Sequence, residues 1–335
     1  MYIEQAAIRR NISPMVVEKD FWVCWMLSVL FESELAGSLV FKGGTSLSKV
    51  FGLIERFSED IDLSLSPAFL ELPEVGTSRN QANKWMNRAE AACGVAVQKQ
   101  IAPMLETAVT SVLGEGSWLE FLIDAVTKSP VLLFHYPSLH PKGFEYLKRS
   151  VKLEFGSLTD QQPVGRYPIQ PWIAEALPEA FADWRCELIA LEVERTFWEK
   201  ATILHAEYHR PADKTTPARF SRHYADLAAL SSHPIANRAI DLHDLRSRVV
   251  QWKSQFFGSS WANYAEARPG TFHVVPPAER LPALHRDYQA MRDMYLTTPP
   301  SFNDIMVSLT DLEKRINRTT GASEVAQPCP RSNAG

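Results

Sequence analysis

The spacing of apolar positions divides the chain into two parts of different character. From Pro14 to Ser33 the apolar residues Trp22, Trp25, Met26, Val29 and Leu30 recur every three or four positions, which predicts a helix with one buried face. The run Leu39-Val40-Phe41 then reads as a short buried strand. It stops at Gly43-Gly44, a tight turn into a helix that Thr45 or Ser46 can cap. Asp60-Ile61-Asp62-Leu63-Ser64-Leu65 alternates polar with apolar, the period of a strand whose Ile61, Leu63 and Leu65 face a core. Residues 67–76 read as loop. Ser78 to Leu113 has helical composition, with breaks expected near Gly94 and Pro103. Lys148 to Phe155 alternates again, and Glu187 to Glu192 predicts another strand. Residues 118–135 show no decisive period, and the proline-rich region 156–180 reads as loop.

Beyond Val193 the pattern is helical: Val193–Tyr208, a break from Pro211 to Pro217, a restart from Arg219 to Leu230, then 242–257 and 282–295. The expected class is α/β (α+β). A catalytic domain over 1–185, a small mixed sheet flanked by helices, would be followed by a helical domain over 186–318 that contributes to a cleft. The tail 319–335 lacks apolar periodicity and is expected to be disordered. No internal repeat is found.

Two features of the first part carry chemistry. Adjacent glycines permit unusual backbone angles and close approach of a ligand, and free N–H groups at a helix start favour phosphate. Lys42 precedes the glycines and Lys49 follows a turn later. Taken alone, Gly-Gly-Thr-Ser is also compatible with an ordinary strand–turn–helix junction. On the second strand Asp60 and Asp62 are two apart and project from one face. Two such carboxylates repel, and a cation relieves the repulsion. Mg²⁺ takes one or two carboxylates together with substrate phosphate oxygens.

Composition narrows the class. The 335 residues are 45% hydrophobic and 22% charged, as in globular proteins, and no apolar run reaches the roughly 18–20 residues of a membrane span. No signal pattern opens the chain, so a cytoplasmic protein is expected. The formal charge of −4 argues against broad, non-specific nucleic-acid binding without excluding a local basic patch. Cys24, Cys93, Cys186 and Cys329 are too scattered for a zinc knuckle or a redox pair. Cys24 and Cys186 lie in apolar segments and read as buried thiols.

The motifs together resemble the nucleotidyltransferase superfamily, and within it the AbiEii/AbiGii-type nucleotidyltransferase toxins of bacterial toxin–antitoxin and phage-defence systems. The matching residues are Glu18-Lys19-Asp20-Phe21-Trp22, Phe41 to Lys49, Arg56-Phe57-Ser58-Glu59-Asp60-Ile61-Asp62-Leu63, Arg195-Thr196-Phe197-Trp198-Glu199-Lys200 and Tyr224-Ala225-Asp226-Leu227. The likeness runs from about Val17 to Asn317, and its central block is the most specific part. It implies a nucleotidyltransferase fold and transfer of NMP from an NTP to an acceptor hydroxyl. The cofactor would be Mg²⁺, with Mn²⁺ an alternative. The acceptor would be RNA, plausibly the 3′ end of tRNA, and the partner a separately encoded antitoxin. A monomer is expected.

The resemblance also assigns residues. Asp60 and Asp62 would bind metal. Lys42, Gly43, Gly44, Thr45, Ser46, Lys49, Ser58 and Arg195 would form the phosphate-binding set. Lys200 and Asp226 match the lysine and aspartate of the family's later motifs. Lys200 would offset charge on the leaving pyrophosphate, and Asp226 would bind nucleotide, hold Lys200 or act as base. Glu154 is the candidate third metal carboxylate, and its alternative is an exposed partner of Lys152. Residues 209–223 carry Arg210, Lys214, Arg219 and Arg222 against Asp213, a basic run that either meets RNA or NTP or is surface loop. His205 and His209 are four apart but form HxExH, not the HExxH of a metalloprotease, and read as ordinary helix histidines. Two competing functions remain: a nucleotide-binding regulatory module without turnover, and a metal-dependent phosphohydrolase or phosphotransferase.

Overall fold

One mixed sheet organises the N-terminal part of the molecule, with strand order β3-β4-β5-β2-β1-β7-β6. Its strands are β1 Leu39–Lys42, β2 Asp60–Leu65, β3 Leu119–Ile123, β4 Pro130–Phe134, β5 Val151–Gly156, β6 Val164–Ile169 and β7 Cys186–Leu191. The computed structural model describes residues 1–318 apart from Glu59, Thr77, Val126, 140–148 and Asp183. Helices α1 Tyr2–Arg10, α2 Pro14–Phe31, α3 Gly43–Lys49, α4 Arg79–Ala96, α5 Ala102–Leu113 and α6 Trp172–Ala176 accompany the sheet. The helical part holds α7 Val193–Tyr208, α8 Ser221–Ser231, α9 Ile235–Asp241, α10 His243–Phe256, α11 Leu281–Ala290 and α12 Phe302–Asn317.

The period-two pattern of β2 decides which sheet face is dry. Ile61, Leu63 and Leu65 are fully buried in one core with Leu153 and Phe155 of β5, Leu27 and Leu30 of α2, and Ile101 and Leu105 beside them. Asp60 and Asp62, at the alternate positions, remain only half-buried on the other face. The helix α2 is pinned by charges at its own start. Asp20 accepts the Trp172 backbone N–H at 2.6 Å and pairs with Lys49 at 2.7 Å, while Glu18 accepts from Ser138 Oγ and the Leu139 N–H. A second core, built on Phe197, Trp198, Tyr224, Phe272 and Leu309, holds the helical part together.

Most predicted elements are present, and the departures have local causes. The undecided stretch 118–135 is the antiparallel hairpin β3–β4. The region 156–180, expected to be loop, contains β6 and α6, because β6 gains its order by pairing along its whole length with β7. Strand β7 itself lies in the sheet, so the sheet reaches Leu191 and not 185, and only Glu192 separates it from α7. No break occurs at Gly94 or Pro103. A π-helical turn, Val97–Ile101, joins α4 to α5, and widening of the helix there relieves the clash that Pro103 would cause in a tighter turn. Neither Thr45 nor Ser46 caps α3, which begins earlier, at Gly43. Cys24, Cys93 and Cys186 are buried thiols, as burial also shows by raising each of them. Cys329 and the tail 319–335 lie outside the described residues. Among those described, no helix is long and apolar enough to cross a membrane.

His205 is buried in α7, where Nδ1 accepts the His273 backbone N–H and Nε2 meets the Asn263 carbonyl, each at 3.1 Å. Both ring nitrogens are thus used by a neutral imidazole, and no metal-holding group of three His, Cys, Asp or Glu forms among the described residues. Burial lowers this histidine to about 4, and it lowers His209 and His223 as well. The stability contributed by a histidine lowered in this way is intact above its unfolded value, roughly 6.5, and is lost as pH falls toward the folded value. Urea unfolding followed from pH 7 to pH 5 is therefore expected to show a loss of about 2 kcal/mol from His205 alone. A midpoint unchanged across that range would contradict this account.

Candidate active site

Three strands bring the charged residues together by register. On β1 Lys42 stands opposite Asp62 of β2, and on β5 Glu154 stands beside the same Asp62 while Lys152 stands beside Asp60. In-register neighbours share a sheet face, so Lys42, Asp60, Asp62, Lys152 and Glu154 all project from the face opposite the dry core. The floor of the site is therefore set by backbone pairing.

The glycine turn closes over one end of that floor. Gly43 has φ +82°, and a Cβ placed on it would lie 2.1 Å from Asp62 Oδ2. At Gly44 a Cβ would lie 2.5 Å from Arg56 Nη2 and 3.2 Å from Ser58 Oγ. Both glycines are thus required by the close approach of site side chains, and Gly43 also by its left-handed backbone. Thr45 and Ser46 point inward: Thr45 Oγ1 donates to the Asp60 carbonyl, and Ser46 Oγ donates to the Gly43 carbonyl at 2.9 Å. The Thr45 hydroxyl fastens α3 to the acidic strand, while that of Ser46 is spent within the first turn of α3. Lys49 does not join this group. Its ammonium is buried against Asp20 and lies 4.8 Å from the Trp172 ring centroid.

Behind the turn lies a buried cluster of three charges. Asp226, on α8, accepts Arg56 Nε at 2.7 Å and Arg56 Nη2 at 2.8 Å, and pairs with Lys200 Nζ of α7 at 2.8 Å. Arg56 is 3% exposed and Asp226 1%, so these are desolvated pairs. Burial alone would raise the Asp226 carboxyl, but Arg56 and Lys200 outweigh it and hold the group far below the usual carboxylate range. Among the roles the sequence left open for Asp226, this contact favours holding Lys200. A carboxylate so strongly stabilised in its charged form is a poor proton acceptor. The Nη1 of Arg56 is buried without a hydrogen-bond partner among the described residues. Arg56 shares Asp226 with Lys200, and sequence reasoning did not single it out. Its signal was its place just ahead of Ser58 in the acidic motif.

The remaining candidates separate. Arg195 is 1% exposed and ties together Asp160 at 2.8 Å, the Gln162 carbonyl at 3.0 Å and Glu199 at 3.2 Å, so it braces α7 and offers no outward fork to a phosphate. Glu154 pairs with Lys152 Nζ at 2.7 Å, which realises the alternative reading of that residue, although its register still puts it next to Asp62. Burial would lower Lys152, but its bond to Glu154 and the charges of Glu154, Asp60 and Asp124 raise it. Asp60, Asp62 and Glu154 do not make a three-ligand group among the described residues. The Asp60–Asp62 pair, half-buried and roofed by a glycine that admits no side chain, suits Mg²⁺, which needs only one or two protein carboxylates.

Lys253 of α10 is a second residue that the sequence did not mark. Burial lowers it, Glu199 opposes that shift, and Lys42 and Arg195 add to it, so its ammonium lies in the same electrostatic neighbourhood as the floor. Part of the basic run 209–223 is committed to the fold. Arg210 bonds Glu207 at 2.6 Å and lies 4.6 Å from the Trp261 ring, and Asp287 accepts the Arg219 and Ser221 backbone N–H groups.

The geometry is that of a glycine turn beside a carboxylate pair, with a lysine held by Asp226, the carboxylate that also clamps Arg56 next to Gly44. Comparison with known proteins gives this arrangement a family. The chain matches the family described as nucleotidyl transferase AbiEii toxin of type IV toxin–antitoxin systems over residues 25–308. No match is found among curated proteins. Among solved structures, the nucleotidyltransferase toxin MenT4 from Mycobacterium tuberculosis shares the fold, with a TM-score of 0.50 at 15% identity over 95% of this chain and 90% of that one. The family match spans most of the chain and includes both acidic and lysine motifs: this protein belongs to the AbiEii nucleotidyltransferase toxin family.

Proposed function

We propose that the protein transfers NMP from an NTP to a hydroxyl of RNA, with Asp60 and Asp62 holding Mg²⁺ or Mn²⁺, and that this transfer is the toxic activity restrained by a cognate antitoxin. The observation that carries the reading is the placement of Asp62 against Gly43 and of Arg56 against Gly44, with Arg56 sharing Asp226 with Lys200. When bound, the ion would screen the phosphates and lower the pKa of the attacking hydroxyl. The backbone of Gly43 and Gly44, with Ser58 and Lys42, would receive the triphosphate, and Lys200 would balance charge as pyrophosphate leaves. Arg56 and Asp226 would act through Lys200 by fixing its ammonium, and Arg195 would act through Glu199 and the start of α7.

An RNA acceptor draws support from a groove of about 1130 Å³ between α4 and α10. Arg79, Arg246 and Arg268 line it together with Ser78, Ser254 and Asn263 and the apolar Val75, Met86 and Phe256, with Arg268 paired to Glu266 at 3.3 Å. Arg246 is half-buried, and no ion-pair partner for it is found among the described residues. Arginines on such a wall suit a phosphate backbone. A tRNA end is one such acceptor.

Incubation with total tRNA, Mg²⁺ and each labelled NTP in turn is expected to label RNA with one or more nucleotides and to release pyrophosphate. Labelling should fall to background in Asp60→Ala and Asp62→Ala, and by about 100-fold or more in Lys200→Met. Equal labelling by Asp60→Ala, or label on protein with none on RNA, would overturn the reading. Inorganic phosphate released in place of pyrophosphate would identify a phosphohydrolase.

The clamp makes a separate stability prediction. Asp226→Asn leaves two buried cations without their carboxylate and should cost about 3–5 kcal/mol in urea unfolding. Lys200→Met keeps the Arg56 pair and should cost clearly less. Equal and small losses in both would show that the triad is not the fastening described.

A further inference from the structure

We propose that Lys152 is the positioning cation of this site: its ammonium stands in the place of a third metal contact and confines divalent-ion binding to the Asp60–Asp62 pair. The inference rests on the metal reading of those two aspartates given above. The fold family makes Glu154 attractive as a ligand, since register sets it directly beside Asp62 on the same face. The side chain is committed elsewhere, however. Lys152, two residues earlier on β5 and on the same face, reaches it at 2.7 Å, and also reaches Asp124 of the β3–β4 turn at 3.4 Å. The same register sets Lys152 beside Asp60.

A row of four acids on one face would bind a cation wherever two converge. Lys152 breaks that row. Its head is 28% exposed and lies between Asp124 and Glu154, so its direct ion pairs go to these two acids, while Asp60 beside it and Asp62 next to the glycine turn are left to bind a cation. A lysine ammonium is a compact point charge with three donors, suited to serving several carboxylates together. Glu154 then influences the ion only through Lys152: it holds the ammonium and offsets its repulsion of the metal.

Titration of Mn²⁺ into the full-length protein, followed by the EPR signal of free Mn²⁺, tests this directly. Lys152→Met should tighten Mn²⁺ binding roughly fivefold, the order expected when a unit charge several ångströms from a divalent ion is removed in partly solvated protein. Glu154→Gln should weaken it by a similar factor, and Lys152→Arg should stay near wild type. The double variant Lys152→Met with Glu154→Gln should bind Mn²⁺ about as tightly as Lys152→Met alone, because Glu154 acts only through the lysine it contacts. A double variant as weak as Glu154→Gln alone would make Glu154 a ligand and overturn the proposal, as would an unchanged affinity in Lys152→Met. Asp62→Asn should abolish binding. Retention of binding there would overturn the aspartate-pair reading itself, and this inference with it, whereas failure of the double variant leaves that reading standing.

Discussion

One buried carboxylate ties the sheet part of the molecule to the active-site helices. Asp226 reaches from α8 to Arg56, in the segment that leads into β2, and to Lys200 on α7. Buried charges are costly to desolvate, and pairs of them gain little over an apolar core, so such a cluster is poorly explained by stability. It is better explained by position. Two cations share one anion, and the excess positive charge lies directly behind the turn that Asp62 touches. An anionic substrate entering that turn would meet a field already in place, with no reorganisation needed to create it.

The two sheet faces divide the labour. The apolar positions of β1, β2 and β5 supply the larger core, while the alternate positions on those strands supply the charges. A slip of one residue in the β2–β5 pairing would carry Asp60 and Asp62 into the core and expose Ile61 and Leu63. The hydrophobic effect that holds the sheet in register therefore also fixes the separation of the charged groups.

Much of this was legible in the sequence because its period was local. The alternation of β2 and β5 and the helical spacing of α2 and α7 each declare their faces within a few residues, and the glycine turn is marked by composition. What escaped depended on partners far along the chain. β6 is an edge strand that contains Pro168 and is ordered by β7, so its own composition reads as loop. The commitment of Lys49 to Asp20, of Arg195 to Asp160 and of Glu154 to Lys152 could not be read from spacing, since a charged residue near a motif looks the same whether it faces a ligand or a buried counter-ion. The importance of Arg56 was hidden for the same reason: its partner lies 170 residues away.

The junction of β7 with α7 has a mechanical consequence. Only Glu192 separates the last strand residue from the first turn of the helix that carries Lys200. The strand is paired on both sides, with β1 and with β6, and Glu192 is held in turn by a hydrogen bond from Tyr167 at 2.6 Å. With no slack between them, strand and helix behave as one lever whose fulcrum is the sheet. The azimuth of Lys200 around its helix is then fixed by counting: each residue added or removed at the junction would swing the ammonium by about 100° and carry it away from Asp226. The length of this one connection is thus held by the chemistry at its far end.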